Sequence, residues 1–148
     1  MSNPTFPRIE VVPEDIAQRE DARLLIECDE NAWRWSRQCL MFLPFRAHSA
    51  GVVARARVWV PEEPSGWSRA ARLVVRGSAA GLVTNLVAAV GSDTLTAAVG
   101  TTLGTYTDEE TLTQADGGDW LDCTFTVGIG GTVTALAMLY LHRGSDRP

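Results

Sequence analysis

Apolar and polar side chains alternate most regularly near the end of the chain, between Trp120 and His142. Leu121, Cys123, Phe125, Val127 and Ile129 alternate with Asp122, Thr124, Thr126 and Gly128, and past Gly130-Gly131 the set Val133, Ala135, Ala137, Leu139 and Leu141 alternates with Thr134, Leu136, Met138, Tyr140 and His142. A period of two marks a strand with one buried face. The glycines between the two runs predict an antiparallel hairpin. A loop of residues 130–131 would set one apolar series beside the other's polar series, whereas a loop of 130–132 pairs 129 with 133 and 125 with 137 and joins both apolar series on one face. A slip of one residue moves a whole series across the sheet, so the odd-length loop with a glycine at positive φ is expected. Leu136, Met138 and Tyr140 then lie on the other face, too apolar to be given wholly to water. That face is expected to be covered by the N-terminal arm or by a second subunit.

The same pattern, weaker, runs through the rest of the chain. Arg8 to Val12, Leu24 to Cys28, Cys39 to Phe45, Gly51 to Val60, Ala70 to Arg76 and Thr111 to Ala115 each read as strands. Leu82 to Val90 and Thr94 to Val99 form a pair around the turn Gly91-Ser92-Asp93. Pro44 inside the third of these argues for an edge or a strand end. In Gly51 to Val60, Val52, Ala54, Ala56, Val58 and Val60 share one face, and Val53, Arg55, Arg57 and Trp59 share the other, which is cationic with one aromatic. Pro13-Glu14-Asp15 suits a first helical turn, so at most one short helix is expected near residues 14–23. The elements add up to about seven to nine strands at spacings of roughly ten to fifteen residues. The expected fold is all-β, an antiparallel β-sandwich or jelly roll, with residues 1–12 as an extended arm, 13–143 as one domain and 144–148 as a tail.

Composition agrees with a single core. At 148 residues and 45% hydrophobic, the chain can bury roughly two-thirds of the surface its unfolded form would expose. All thirteen basic residues are Arg, which reads first as coding bias and second as selection for bidentate contacts. The net charge of −5 is arranged in blocks. Residues 14–30 carry seven acids against Arg19 and Arg23, residues 31–80 carry eight Arg against Glu62 and Glu63, and residues 81–148 carry eight acids against Arg143 and Arg147. These are either solvated strand faces or patches that dock copies of the chain or a charged neighbour. An acidic chain argues against nucleic acid as a partner. There is no basic region followed by an apolar run at the start and no stretch long and apolar enough to span a bilayer as a helix, so a soluble, cytoplasmic chain is expected, with no membrane partner.

No motif assigns a reaction. Cys28, Cys39 and Cys123 have no metal or redox spacing, and Cys123 lies on an inward face, where a buried thiol is the default. His48 and His142 are not spaced as metal ligands, and a Ser/His/Asp set drawn through His48 has no supporting context. Asp116-Gly117-Gly118-Asp119 with Asp122 beyond offers oxygen ligands for a cation but equally matches an ordinary Asp/Gly turn. No catalytic residue, cofactor or metal is assigned. The five tryptophans, Trp33, Trp35, Trp59, Trp67 and Trp120, would fill the core or an interface, or stack on sugars if exposed.

A small all-β domain with a proline-containing arm, charge blocks, many tryptophans and no assembled catalytic set resembles the accessory structural proteins of tailed bacteriophages: capsid decoration or cement proteins, or small sandwich domains of tail and fibre proteins. The resemblance is one of architecture over the whole chain. It implies a non-enzymatic virion protein that forms a homodimer or homotrimer and stabilises a capsid shell through arm and sheet-face contacts. The contact residues expected under it are Phe6, Arg8, Trp33, Arg34, Trp35, Arg55, Arg57, Trp59, Leu136, Met138 and Tyr140. The alternative is a carbohydrate-binding β-sandwich using Trp33, Trp35, Trp59 or Trp67 as a platform.

Overall fold

The computed structural model describes residues 8–11, 23, 25–27, 38–60, 70–81, 84–112, 119–128 and 132–142. Ten strands run through them: β1 (Arg8–Val11), β2 (Leu25–Glu27), β3 (Gln38–Ala47), β4 (Gly51–Val60), β5 (Ala70–Ala80), β6 (Thr84–Val90), β7 (Asp93–Val99), β8 (Gly104–Thr111), β9 (Asp119–Gly128) and β10 (Thr132–His142). They form two five-stranded antiparallel sheets, the first in the order β1-β4-β9-β6-β7 and the second in the order β2-β3-β10-β5-β8. From β3 to β10 successive strands lie in opposite sheets, except for the β6–β7 hairpin. That alternation makes an eight-stranded jelly roll, with β1 and β2 added at one edge of each sheet. The short helix expected near residues 14–23, the arm residues 1–7 and the tail lie mostly or wholly outside the described residues. Among the described residues no helix is long and apolar enough to cross a membrane.

The expected C-terminal hairpin does not form. β9 pairs with β4 and β6 in the first sheet, and β10 pairs with β3 and β5 in the second. Each is the central strand of its sheet. The inward faces are those expected: Leu121, Cys123, Phe125 and Val127 on one side and Val133, Ala135, Ala137, Leu139 and Leu141 on the other are all buried. Alternation specifies which side of a strand is apolar. It does not distinguish two apolar faces lying side by side from two meeting across a core.

Between the sheets, Met41, Leu43, Phe45, Val58, Leu73, Val75, Leu86, Val90, Leu95 and Val99 complete the core. Each such side chain contributes about 1.5–3 kcal/mol by leaving water. The Gly51–Val60 strand departs from a simple alternation. The register with β9 shifts between Val52 and Ala54, so Val53 and Ala54 both turn inward and are fully buried, while Val52 faces out opposite Thr126. This β-bulge exchanges the expected places of Val52 and Val53. Gly77 is required by close approach, since a Cβ there would meet the Thr134 carbonyl and lie 2.7 Å from Ala135 Cα across the β5–β10 ladder.

Two local expectations change. Pro44 lies inside β3 rather than at its end. Its carbonyl accepts from the Arg23 N–H at 3.0 Å on the β2 side, so its nitrogen, which lacks a hydrogen, also points away from β10, and no bond of the β3–β10 ladder is lost. Of the strand expected at Thr111 to Ala115, Thr111 is the last residue of β8, Leu112 follows it outside any strand, and residues 113–115 lie outside the described residues. β8 is Gly104–Thr111 and carries Asp108-Glu109-Glu110 within it. The β6–β7 pair forms as expected, but Asp93, expected in the turn, pairs with Val90 as the first residue of β7, which leaves Gly91-Ser92 as a two-residue turn with Gly91 at φ 62°.

Candidate interaction site

The residues expected to make contacts divide between the outer faces of the two sheets. On the first, β1 lies against β4 with Arg8 opposite Trp59 and Glu10 opposite Arg57. On the other side of β4, Arg57 faces Asp122 and Trp59 faces Trp120. The Arg57 guanidinium donates to one Glu10 carboxylate oxygen from Nε at 2.9 Å and Nη2 at 2.6 Å and lies 4.3 Å from the centre of the Trp120 ring. Trp59 meets Trp120 edge to face with centroids 5.4 Å apart and is only 8% exposed. Both groups of the ion pair are about half exposed, so its contribution is small, up to about 1 kcal/mol. Together these contacts hold an indole pair and a guanidinium in fixed positions.

Beyond this cluster the first sheet's outer face becomes small and uncharged. Thr124, Thr126, Val87 and Ala89 are half-buried, and Thr94, Thr96 and Ala98 are exposed. Arg55 is exposed opposite Thr124, at the border between the two regions.

On the second sheet, Leu136, Met138 and Tyr140 face outward, as their alternation requires. Met138 lies between Phe42 of β3 and Val74 of β5, Leu136 between Pro44 and Arg76, and Tyr140 between Leu40 and Arg72. Leu25 of β2 extends the middle row beyond Phe42 and is 55% exposed. Met138 is 9% exposed, its sulfur 3.8 Å from the Tyr140 hydroxyl that donates to it. The result is an apolar band four strands wide, with Arg46 and Arg76 exposed beside it and Arg72 5.0 Å from the Tyr140 ring. No described element lies across this band. The described part of the N-terminal segment, β1, joins the opposite sheet, so it does not cover Leu136, Met138 and Tyr140 as expected.

Phe6, Trp33, Arg34, Trp35 and Trp67 lie outside the described residues. Leu25, Leu40, Phe42, Pro44 and Val74 were not singled out as contact residues, although Cys39 to Phe45 reads as an unbroken apolar run. Such a run, in place of alternation, signals a strand whose two faces both avoid water. Leu103, in the β7–β8 loop and 79% exposed, sits where glycines and threonines obscured any pattern.

The groups weighed for chemistry are separated. Burial, with the neighbouring Asp122 charge adding to it, pushes the Cys123 thiol up from 9.0 to about 12, so at neutral pH it is an inert, protonated side chain. His48 Nδ1 lies 3.1 Å from Thr132 Oγ1, tying the β3–β4 turn to the start of β10. Asp122 is exposed in the first sheet opposite Arg57, while Asp116 lies outside the described residues. Among the described residues no three His, Cys, Asp or Glu gather as a metal site would need.

No protein-family model matches the chain, and no curated protein matches its sequence. Among solved structures it is similar to BiXyn10A CBM1 in the apo form, with a TM-score of 0.38, 17% identity, and coverage of 95% of this chain and 92% of that one. It is also similar to the Family 11 Carbohydrate-Binding Module of the cellulosomal cellulase Lic26A-Cel5E of Clostridium thermocellum, with a TM-score of 0.32, 8% identity, and coverage of 96% and 90%. The assignment as a jelly-roll β-sandwich rests on the strand pairing itself.

Proposed function

We propose that the chain is a structural, non-catalytic module whose copies associate with one another and with a larger protein assembly, such as a virion shell, through the outer face of the second sheet. The observation that supports this is the band of Leu25, Phe42, Met138, Val74, Leu136 and Tyr140, contiguous across β2, β3, β10 and β5. Apolar, aromatic and methionine side chains in the middle with arginine at the rim is the composition of an interface core. A rigid sheet presents them with little conformational freedom left to lose on docking.

The carbohydrate reading needs an indole with a free face. Of the indoles it would use, Trp59 is packed against Trp120 and only 8% exposed, while Trp33, Trp35 and Trp67 lie outside the described residues; the apolar band is what supports protein as the partner.

Sedimentation velocity tests the proposal. The wild-type chain is expected to sediment above its 16.0 kDa monomer mass as concentration rises. Leu25→Asp combined with Leu136→Asp should leave the far-ultraviolet circular dichroism unchanged and return the chain to monomer. A wild-type chain that stays monomeric up to about 1 mM, where even a contact of about 4 kcal/mol would populate dimers, would overturn it.

A further inference from the structure

Charge is segregated on this molecule in a way that decides how two copies can meet. From Thr84 to Leu112 the chain carries Asp93, Asp108, Glu109 and Glu110 and no basic residue. That stretch forms β6, β7, the connecting loop and β8, and β7 and β8 are the edge strands of the two sheets on one side of the sandwich. At one end of this acidic side stands Leu103, the most exposed large apolar residue among those described. Its loop is braced. The Tyr106 hydroxyl donates to the Thr102 carbonyl at 2.7 Å, and the Ala79 N–H donates to the Gly100 carbonyl at 2.8 Å. A Cβ at Gly100 would come within 3.0 Å of that hydroxyl, so the chain passes close around the Tyr106 tip. An exposed leucine on a loop pinned at both ends is presented to solvent by the fold.

The outer face of the second sheet has the complementary character. Its apolar band is bordered by Arg46 and Arg76 at one end and at the other by Arg72, which is ion-paired with Glu109 of β8 at 3.7 Å, with Glu27 at the register position opposite Leu40. Two copies stacked on this same face would bring two cationic rims together, an unfavourable arrangement. An acidic side with an apolar tip meets no such repulsion there.

We infer that copies associate head to tail, the Leu103 loop and acidic β7–β8 side of one copy docking on the arginine-rimmed apolar face of the next. The inference rests on the proposed self-association and adds its geometry. The spans match: Leu103 to Glu110 is seven residues and Leu40 to Arg46 six, both about 20 Å at roughly 3.3 Å per residue. Asp108 is taken up by the Thr96 and Glu109 amides and Glu109 by Arg72, so Leu103 reaches the Leu40–Tyr140 end of the band while the exposed Glu110, at the far end of β8, reaches Arg46 and Arg76. Because the two surfaces differ, each added copy leaves one face and one acidic side unused. Growth then continues into a ring or an open chain and does not stop at a dimer.

Two variants and their mixture test this. Arg46→Glu with Arg76→Glu spoils the face, and Leu103→Ser with Glu110→Gln spoils the acidic side without creating a charge that the altered face could attract; all four positions are exposed. The wild-type chain is expected to form species larger than a dimer, with association at least about tenfold weaker when salt is raised from about 0.05 M to about 0.5 M. Each variant alone should be monomeric at concentrations where the wild type assembles. An equimolar mixture should give a species of twice the 16.0 kDa chain mass and nothing larger, because only one intact face and one intact side remain per pair. That recovery also shows both variants to be folded. If the wild type assembles but either variant assembles alike, or the mixture stays monomeric, the head-to-tail contact is wrong while self-association stands. If the wild type never assembles, both fall.

Discussion

Cys123 shows how much a single inward position is decided by its neighbours. It sits in β9 between the inward-facing Leu121 and Phe125, opposite Ala56 on β4 and Val90 on β6, with no room for water to stabilise a thiolate. The cost falls on the native state alone, since an unfolded chain solvates the thiolate freely. With the folded thiol raised from 9.0 to about 12, stability from this group is complete below pH 9 and lost as pH rises toward 12, at roughly 1 kcal/mol per pH unit. In a background with Cys28→Ser and Cys39→Ser, the thiol should resist alkylation at pH 8 in the native protein and react at once in denaturant. Urea titrations should show the alkaline loss, and Cys123→Ala should remove that slope. Native labelling at the rate of a free thiol would contradict this account. The bulge at Val53 and the close approach at Gly77 are features of the same scale, and neither is marked by a change in hydrophobicity. Each depends on a neighbouring strand that the local sequence does not identify.

At the scale of elements, the open side between β7 and β8 is closed by one carboxylate. Asp108 Oδ2 accepts from the Thr96 N–H of β7 at 2.8 Å, and Oδ1 accepts from the Glu109 N–H of β8 at 2.9 Å. One inward-leaning acid therefore satisfies amides on the edge strands of both sheets, groups that would otherwise recruit another strand. Asp108→Ala should cost about 1–3 kcal/mol in urea unfolding and speed amide exchange at Thr96 and Glu109, with Asp108→Asn intermediate. Unchanged exchange at both amides would show that the clasp does not hold. β8 is also where sequence reasoning failed. Its inward positions are Gly104, Tyr106 and Asp108, too polar to register as an apolar series, because an edge strand completing a sandwich contributes less to the core. Strands with a full apolar series, β4, β9 and β10, were legible in extent and in inward face. Their partners were not, since β9 and β10 show the same alternation whether they share a sheet or face each other. Leu136, Met138 and Tyr140 could be read as an outward apolar set, but the neighbours that make them a band come from β2, β3 and β5, brought together only by the pairing.

Over the whole molecule, six of the eight ladders among the described residues join strands that are not neighbours in sequence, the exceptions being β2–β3 and the tight β6–β7 hairpin. A topology closed by long-range pairing folds slowly and exposes its edges while doing so. This gives the N-terminal segment a role different from the one expected for it. β1 adds four pairs along β4, from Arg8–Trp59 to Val11–Ala56, and brings the Glu10 carboxylate to Arg57. It covers part of a ten-residue strand that would otherwise be the bare edge of the first sheet. Deleting residues 1–12 should therefore leave the jelly roll folded, because β3 to β10 retain their pairing and their core. It should lower stability by about 1–3 kcal/mol, from the lost ladder bonds and the partly buried Ile9. It should also raise light scattering during refolding, as the alternating Val, Ala and Arg edge of β4 becomes available to other chains. Substituting Arg57→Glu in the truncated chain places a second acid beside Asp122 on that edge and should suppress the scattering. If the truncated chain refolds as cleanly as the full one, the edge-capping role of β1 is wrong. If instead its near-ultraviolet circular dichroism is lost, β1 is part of what holds the two sheets together.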